Sequence, residues 1–185
     1  MKDFVRLRWY LGTCFLLAGF IIPATWAQET DTPNWKELRM DMVDKQIKQR
    51  GIKDRTVLDA MRAVKRHELV PAPYRKMAYE DHPLPIGEDQ TISQPYIVGL
   101  MSELLKVEAG DKILEIGTGS GYQAAVLAEM RLKVYTIEII EPLPTRAATD
   151  LKRLGYLDVQ VKHGDGYIGW PEEAPHPLKT PREAT

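Results

Sequence analysis

Between Trp35 and Arg50 the apolar residues Leu38, Met42, Val43 and Ile47 recur at helical spacing, and Gly51 supplies a stop. A second helix is predicted after it, with Asp54 as its cap and Val57, Leu58, Met61 and Val64 as its apolar stripe. Residues 71–95, PAPYRKMAYEDHPLPIGEDQTISQP, lose all periodicity. Their prolines and turn formers predict an irregular loop with short extended pieces, and a loop of that length is uncommon unless it is functional or disordered. Ser93 then reads as the cap of a helix carrying Ile97, Leu100, Met101 and Leu104.

After Gly110 the pattern changes. Lys112 to Ile116 predicts a strand, the turn GTGSG follows, and Tyr122 to Met130 predicts a helix. Lys133 to Ile139 is a second strand, followed by a helix ending near Gly155. Val159 to Lys162 is a third strand, leading into His163-Gly164-Asp165-Gly166. Strands alternating with helices in this way predict an α/β fold, a parallel sheet covered by helices. From Pro175 the chain has no periodicity, and its prolines argue against a central strand.

The N-terminus has another character. Lys2, Arg6 and Arg8 precede the apolar run Leu11 to Ala24, and Thr25-Trp26-Ala27 ends it. That is the layout of a secretory signal, with cleavage expected after Ala27, or of an uncleaved anchor, since Trp9 to Ala27 is about long enough to span a membrane. Either reading places the remainder outside the cytoplasm, exported or membrane-anchored. The expected organisation is a signal or anchor at 1–27, a linker at 28–34, a helical and loop region at 35–110, an α/β region at 111–174 and an irregular tail at 175–185.

Composition narrows the class. The chain has 185 residues, 44% apolar and 28% charged, which suits one ordinary domain and argues against disorder. A net charge of −1 gives no basic footprint for nucleic acid. The single cysteine, Cys14, excludes an intrachain disulfide and any multi-thiolate metal site. The spacings of His67, His82, His163 and His176 match no metal site, so no metal is expected. Arg62, Lys65 and Arg66 read as a solvated face of one helix.

The chemistry concentrates in Glu115-Ile116-Gly117-Thr118-Gly119-Ser120-Gly121, between a strand and a helix. Glycine lets a backbone turn sharply and approach a ligand closely. Counted from Gly117, the dinucleotide fingerprint fails at Tyr122; counted from Gly119, its looser form is met by Ala124. A nicotinamide cofactor therefore remains open on this turn alone, while an acid two residues before three alternating glycines suits S-adenosylmethionine better. Glu138, near the end of the second strand, could accept hydrogen bonds from both ribose hydroxyls. Asp165-Gly166, at the end of the third, could meet an adenine edge. Each feature alone has a plainer reading as a tight connection, a solvated edge residue or a turn. The ordered set at successive strand ends points to one cofactor crevice.

Taken with LVPAPYRKMAYEDHPLPIGEDQTISQP, the run LEIGTGSGYQAAVLAEM resembles the protein-L-isoaspartate O-methyltransferases. The resemblance extends from about Trp35 to Pro175 and includes KVYTIEI and HGDGYIGWPEEAP. It implies a Rossmann-like S-adenosylmethionine-dependent methyltransferase sheet, here incomplete, and repair of damaged proteins by methylation of the isoaspartyl carboxylate. It implies that Ser93 is the active-site serine, that Thr91 and its neighbours close over the cofactor, and that Pro83-Leu84-Pro85-Ile86 shape a peptide groove. The expected cofactor residues are Thr91, Glu115, Gly117, Gly119, Gly121, Glu138, Asp165 and Gly166, and the expected partners are proteins or peptides bearing isoaspartyl residues.

Two features depart from that pattern. The match stops near Pro175 where family members continue, so a C-terminal truncation is expected. The leader predicts export, whereas the resemblance alone implies a cytoplasmic enzyme. The sequence also allows a methyltransferase for another envelope substrate and a non-catalytic fragment.

Overall fold

The computed structural model describes residues 33–174. The leader, the linker as far as residue 32 and the tail from residue 175 lie outside the described residues. Helix α1, Pro33–Asp41, continues through a π-helical segment, Met42–Ile47, and a 3-10 turn, Lys48–Arg50, so α1 takes in the last two positions assigned to the linker. Met42, Val43 and Ile47 are buried, as their spacing predicts, and Gly51 ends the run at φ +104°. Helix α2, Arg55–Ala63, is capped by Asp54, whose Oδ1 accepts from the backbone N–H of Thr56 at 2.8 Å and of Val57 at 3.2 Å.

The segment from 71 to 95 is more ordered than its composition predicts. Ala72–Met77 forms a 3-10 helix, and β1 (Leu84–Gly87) pairs antiparallel with β2 (Gln90–Ile92). Buried Leu84, Ile86 and Ile92 hold this hairpin against the body, while Pro85 and Thr91 face outward. Helix α3, Pro95–Leu104, begins with proline at its first position, where a missing N–H costs nothing. Its N-cap residue is Gln94, with no side-chain cap bond, so the expectation that Ser93 caps this helix is corrected.

Three parallel strands follow, β3 (Lys112–Ile116), β4 (Lys133–Glu138) and β5 (Gln160–His163), in that spatial order. Helix α4, Tyr122–Glu129, links β3 to β4, and α5, Leu143–Arg153, links β4 to β5. Residue register pairs Ile116 with Ile137 and Glu138 with His163, so the carboxyl ends of the strands lie side by side. One hydrophobic core runs from Met42, Ile47, Val57 and Met61 to Ala124, Val126 and Leu127, and on to Val134, Leu143 and Leu151. Among the described residues no helix is long and apolar enough to cross a membrane.

Candidate active site

The strand ends are tied together by backbone. Gly117 N–H donates to Ile137 O at 2.8 Å and Gly164 N–H donates to Glu138 O at 2.9 Å, extending the parallel ladder past the last paired residues. The glycine turn then runs through left-handed conformations, with φ +93° at Gly117, +52° at Gly119 and +82° at Gly121. At Gly121 a Cβ would also lie 3.1 Å from Leu151 of α5, so the position is constrained by packing as well as by φ. Beneath the turn the hydroxyls of Thr118 and Thr136 share a buried 2.7 Å hydrogen bond.

Glu138 is 5% exposed, and its carboxylate is held by the turn. Oε2 accepts from Gly119 N–H at 2.9 Å and Oε1 accepts from Ile140 N–H at 2.9 Å. An ionised carboxylate offers about four acceptor sites, so two remain for a diol. Glu115 sits one strand away with its Oε2 buried and without a hydrogen-bond partner. Burial pushes its pKa up to about 8; the Thr136 hydroxyl opposes the shift and the Glu138 charge reinforces it.

After β5 the chain turns back. Asp165 Oδ1 accepts from Tyr167 N–H at 2.9 Å, and a Cβ on Gly166 would collide with the Ile116 side chain. The Asp165-Gly166 turn therefore lies against the end of β3, bringing three of the predicted features to one edge of the sheet. The hairpin reaches the same edge, because Ile86 Cδ1 stands 3.4 Å from where a Cβ on Gly119 would be. Arg146 of α5 fixes that strand by donating to Ile86 O. Thr91 lies on β2 opposite Pro85, and exposed Ser93 follows the strand directly. No hydrogen bond among the described residues joins either side chain to Glu138 or Asp165, and of the hairpin it is Ile86 that packs against the glycine turn.

Arg66 overturns its reading as part of a solvated face. Helix α2 ends at Ala63, Val64 is extended, and Arg66 enters a separate 3-10 turn, Arg66–Leu69, where it is fully buried. Nε donates to Ala78 O and Nη2 to Ser93 O, both at 2.8 Å, and the guanidinium stacks 4.6 Å from the Tyr122 ring centroid. Burial lowers its pKa to about 10, leaving it charged at neutral pH. The signal available in sequence was its place between apolar Val64 and Leu69, once α2 is ended at Ala63.

The described histidines are engaged locally. His67 is buried, stacks on Trp35 at 4.6 Å and shares a 2.7 Å hydrogen bond with the Tyr79 hydroxyl. His82 contacts Pro83 O and Glu80, and His163 contacts Ile139 O and Glu141. Among the described residues no group of three or more His, Cys, Asp or Glu side chains could hold a metal ion.

Residues 37–178 match the family model described as protein-L-isoaspartate(D-aspartate) O-methyltransferase. The chain belongs to that family. A protein-L-isoaspartate O-methyltransferase of Gloeobacter violaceus is 59% identical over 134 residues, covering 72% of this chain and 65% of the relative. A counterpart from Nitrosospira multiformis is 51% identical over 174 residues, covering 91% of this chain and 71% of its own length. The chain spans less than two thirds of the Gloeobacter relative's length and 59% of that of a counterpart from Opitutus terrae. A solved protein-L-isoaspartate O-methyltransferase superposes with a TM-score of 0.64 at 31% identity, covering 76% of this chain and 45% of the other. A solved Plasmodium falciparum member, in complex with S-adenosyl-L-homocysteine, shares the fold with a TM-score of 0.62 at 24% identity, over 73% and 66% of the two chains.

Proposed function

We propose that this chain is a protein-L-isoaspartate O-methyltransferase that uses S-adenosylmethionine to methylate the free carboxylate of isoaspartyl residues in damaged proteins. The observation that carries the reading is the hydrogen bond from Gly119 N–H to Glu138 Oε2, made at the carboxyl ends of the parallel strands beside Ile86 of the hairpin. Family membership and the S-adenosyl-L-homocysteine complex of the Plasmodium relative support it.

The residues present fit the cofactor. Glu138 would hold the ribose hydroxyls through its remaining lone pairs, and the glycine turn leaves backbone open to close approach. The unpartnered Oε2 of Glu115 would face the cationic amino-acid portion, and Asp165-Gly166 the adenine edge. When bound, S-adenosylmethionine supplies a methyl group already activated on a sulfonium.

The protein's own work is alignment. An isoaspartyl carboxylate with a pKa of about 4 is ionised at neutral pH, so no general base is needed. Ser93 would orient that carboxylate with its hydroxyl, and the hairpin carrying Thr91 and Pro83 to Ile86 would exclude water and receive the peptide. Such positioning contributes roughly 7–11 kcal/mol of effective molarity. A second proposal concerns location: the cationic start and apolar run of residues 1–27 support export or anchoring, and N-terminal sequencing of the mature protein tests it.

The deciding experiment uses the full chain. S-adenosyl-L-homocysteine binding is measured by calorimetry, and methyl transfer is compared on a peptide pair differing only in isoaspartyl or aspartyl linkage. Binding abolished by Glu138→Ala, with transfer confined to the isoaspartyl peptide, is expected. Binding without transfer to either peptide favours a non-catalytic chain, and equal transfer to both peptides overturns the substrate assignment.

A further inference from the structure

We propose that Arg66 is the positioning residue that holds Ser93 in place relative to the cofactor turn. This rests on the assignment of Ser93 to the methyl-accepting site. The guanidinium is completely buried, and among the described residues no carboxylate lies within ion-pair distance of it. A buried cation without a counter-charge is destabilising, and an apolar side chain of similar length would fill the same space at less cost. What an apolar side chain could not do is hold two carbonyls at once.

The two carbonyls identify the role. Ala78 precedes the β1–β2 hairpin and Ser93 follows it, so one planar fork fixes both feet of the hairpin through its Nε and Nη2 donors. The same plane stacks on Tyr122, the first residue of α4, immediately after Gly121. A single side chain thereby sets the peptide-side serine against the turn that begins the cofactor site. Lysine has the charge but not the rigid fork, and methionine has neither. The unneutralised charge behind Ser93 also favours an incoming carboxylate over a neutral side chain.

The test compares Arg66→Lys and Arg66→Met in the full chain, each alone and combined with Ser93→Ala. Hydrogen exchange is followed at the amides from Thr91 to Val98, alongside S-adenosyl-L-homocysteine affinity and kcat/KM on an isoaspartyl peptide. Arg66→Lys is expected to accelerate exchange around Ser93 and lower kcat/KM, each by about tenfold, with ligand affinity within about threefold of the parent. With Ser93→Ala present, the kcat/KM loss from Arg66→Lys should shrink below about threefold, because the group it positions is gone. Unchanged exchange at 91–98, or equal losses in both backgrounds, overturns the proposal. If Arg66→Met loses its cooperative unfolding transition, Arg66→Lys carries the comparison. If Ser93→Ala alone leaves peptide methylation intact, the assignment of Ser93 fails, while the exchange measurement still decides whether Arg66 holds that segment.

Discussion

Gly119 and Glu138, on separate strand–helix units, meet through a 2.9 Å hydrogen bond from the glycine's backbone N–H to the carboxylate Oε2. The bond fixes the acid that would bind a ribose by means of the turn that would approach the rest of the cofactor. Glu138 also accepts from Ile140 N–H at 2.9 Å, so its two oxygens brace both neighbouring loops. Glu138→Ala should therefore cost stability as well as affinity. Two backbone donors lose their acceptor, and unfolding in urea should show a loss of about 1–3 kcal/mol, reduced to the extent that water reaches them. A variant with unchanged stability would mean the carboxylate does not brace the turn.

Glu115 makes a prediction about pH. Its pKa in the folded protein, about 8, lies above its ordinary value of 4.5, so the folded state holds a proton that the unfolded state releases. Its contribution to stability is present below about pH 4.5 and falls away as pH rises toward 8. Glu115→Gln carries no such proton and should flatten the fall. Urea unfolding at several pH values between 5 and 8 checks this, and identical slopes in parent and variant would show that Glu115 is not buried as a neutral acid.

Gly121 and Gly51 separate strain from packing. Both have positive φ, +82° and +104°, but a Cβ would meet Leu151 at Gly121 and open space at Gly51. Gly51→Ala should cost about 1–3 kcal/mol from backbone strain alone. Gly121→Ala should exceed it by a further ~1–3 kcal/mol, because Leu151 must move. Equal losses in chemical denaturation would show that α5 yields freely.

The hairpin turn is improvable. Glu88 and Asp89, the two residues between β1 and β2, both sit at φ +53°, a region that favours asparagine and glycine. Replacing the pair by Asn-Gly should raise stability by about 1 kcal/mol, read from the urea midpoint. A decrease would indicate that the acidic side chains make contacts worth more than the strain they bear.

Much of this protein was legible in its sequence, for reasons of locality. The Asp54 cap, the Gly51 stop, the three strands of the sheet and the glycine turn each depend on residues within a few positions of one another, and they lie within a residue or so of where the pattern puts them. The 71–95 segment was only half legible: its prolines marked irregularity, but the hairpin depends on Leu84, Ile86 and Ile92 finding a core elsewhere. Arg66 was misread for the same reason, and the Ser93 cap for a local one, since Pro95 as the first helical residue makes Gln94 the N-cap. A serine before a helix looks like a cap until proline begins that helix, and a basic cluster looks solvated until its members leave one helix.

The sequence by itself determined the α/β order of elements and the chemical identity of the groups at each strand end, because local propensity and spacing suffice for both. Only the tertiary structure decided that Gly119 holds Glu138, that Gly166 lies against Ile116, and that Arg66 joins Ala78, Ser93 and Tyr122. Those contacts link positions far apart in the chain. They arise when burial of the shared core packs apolar side chains from distant segments together and takes backbone carbonyls and amides out of water, where a hydrogen-bond partner offsets the cost.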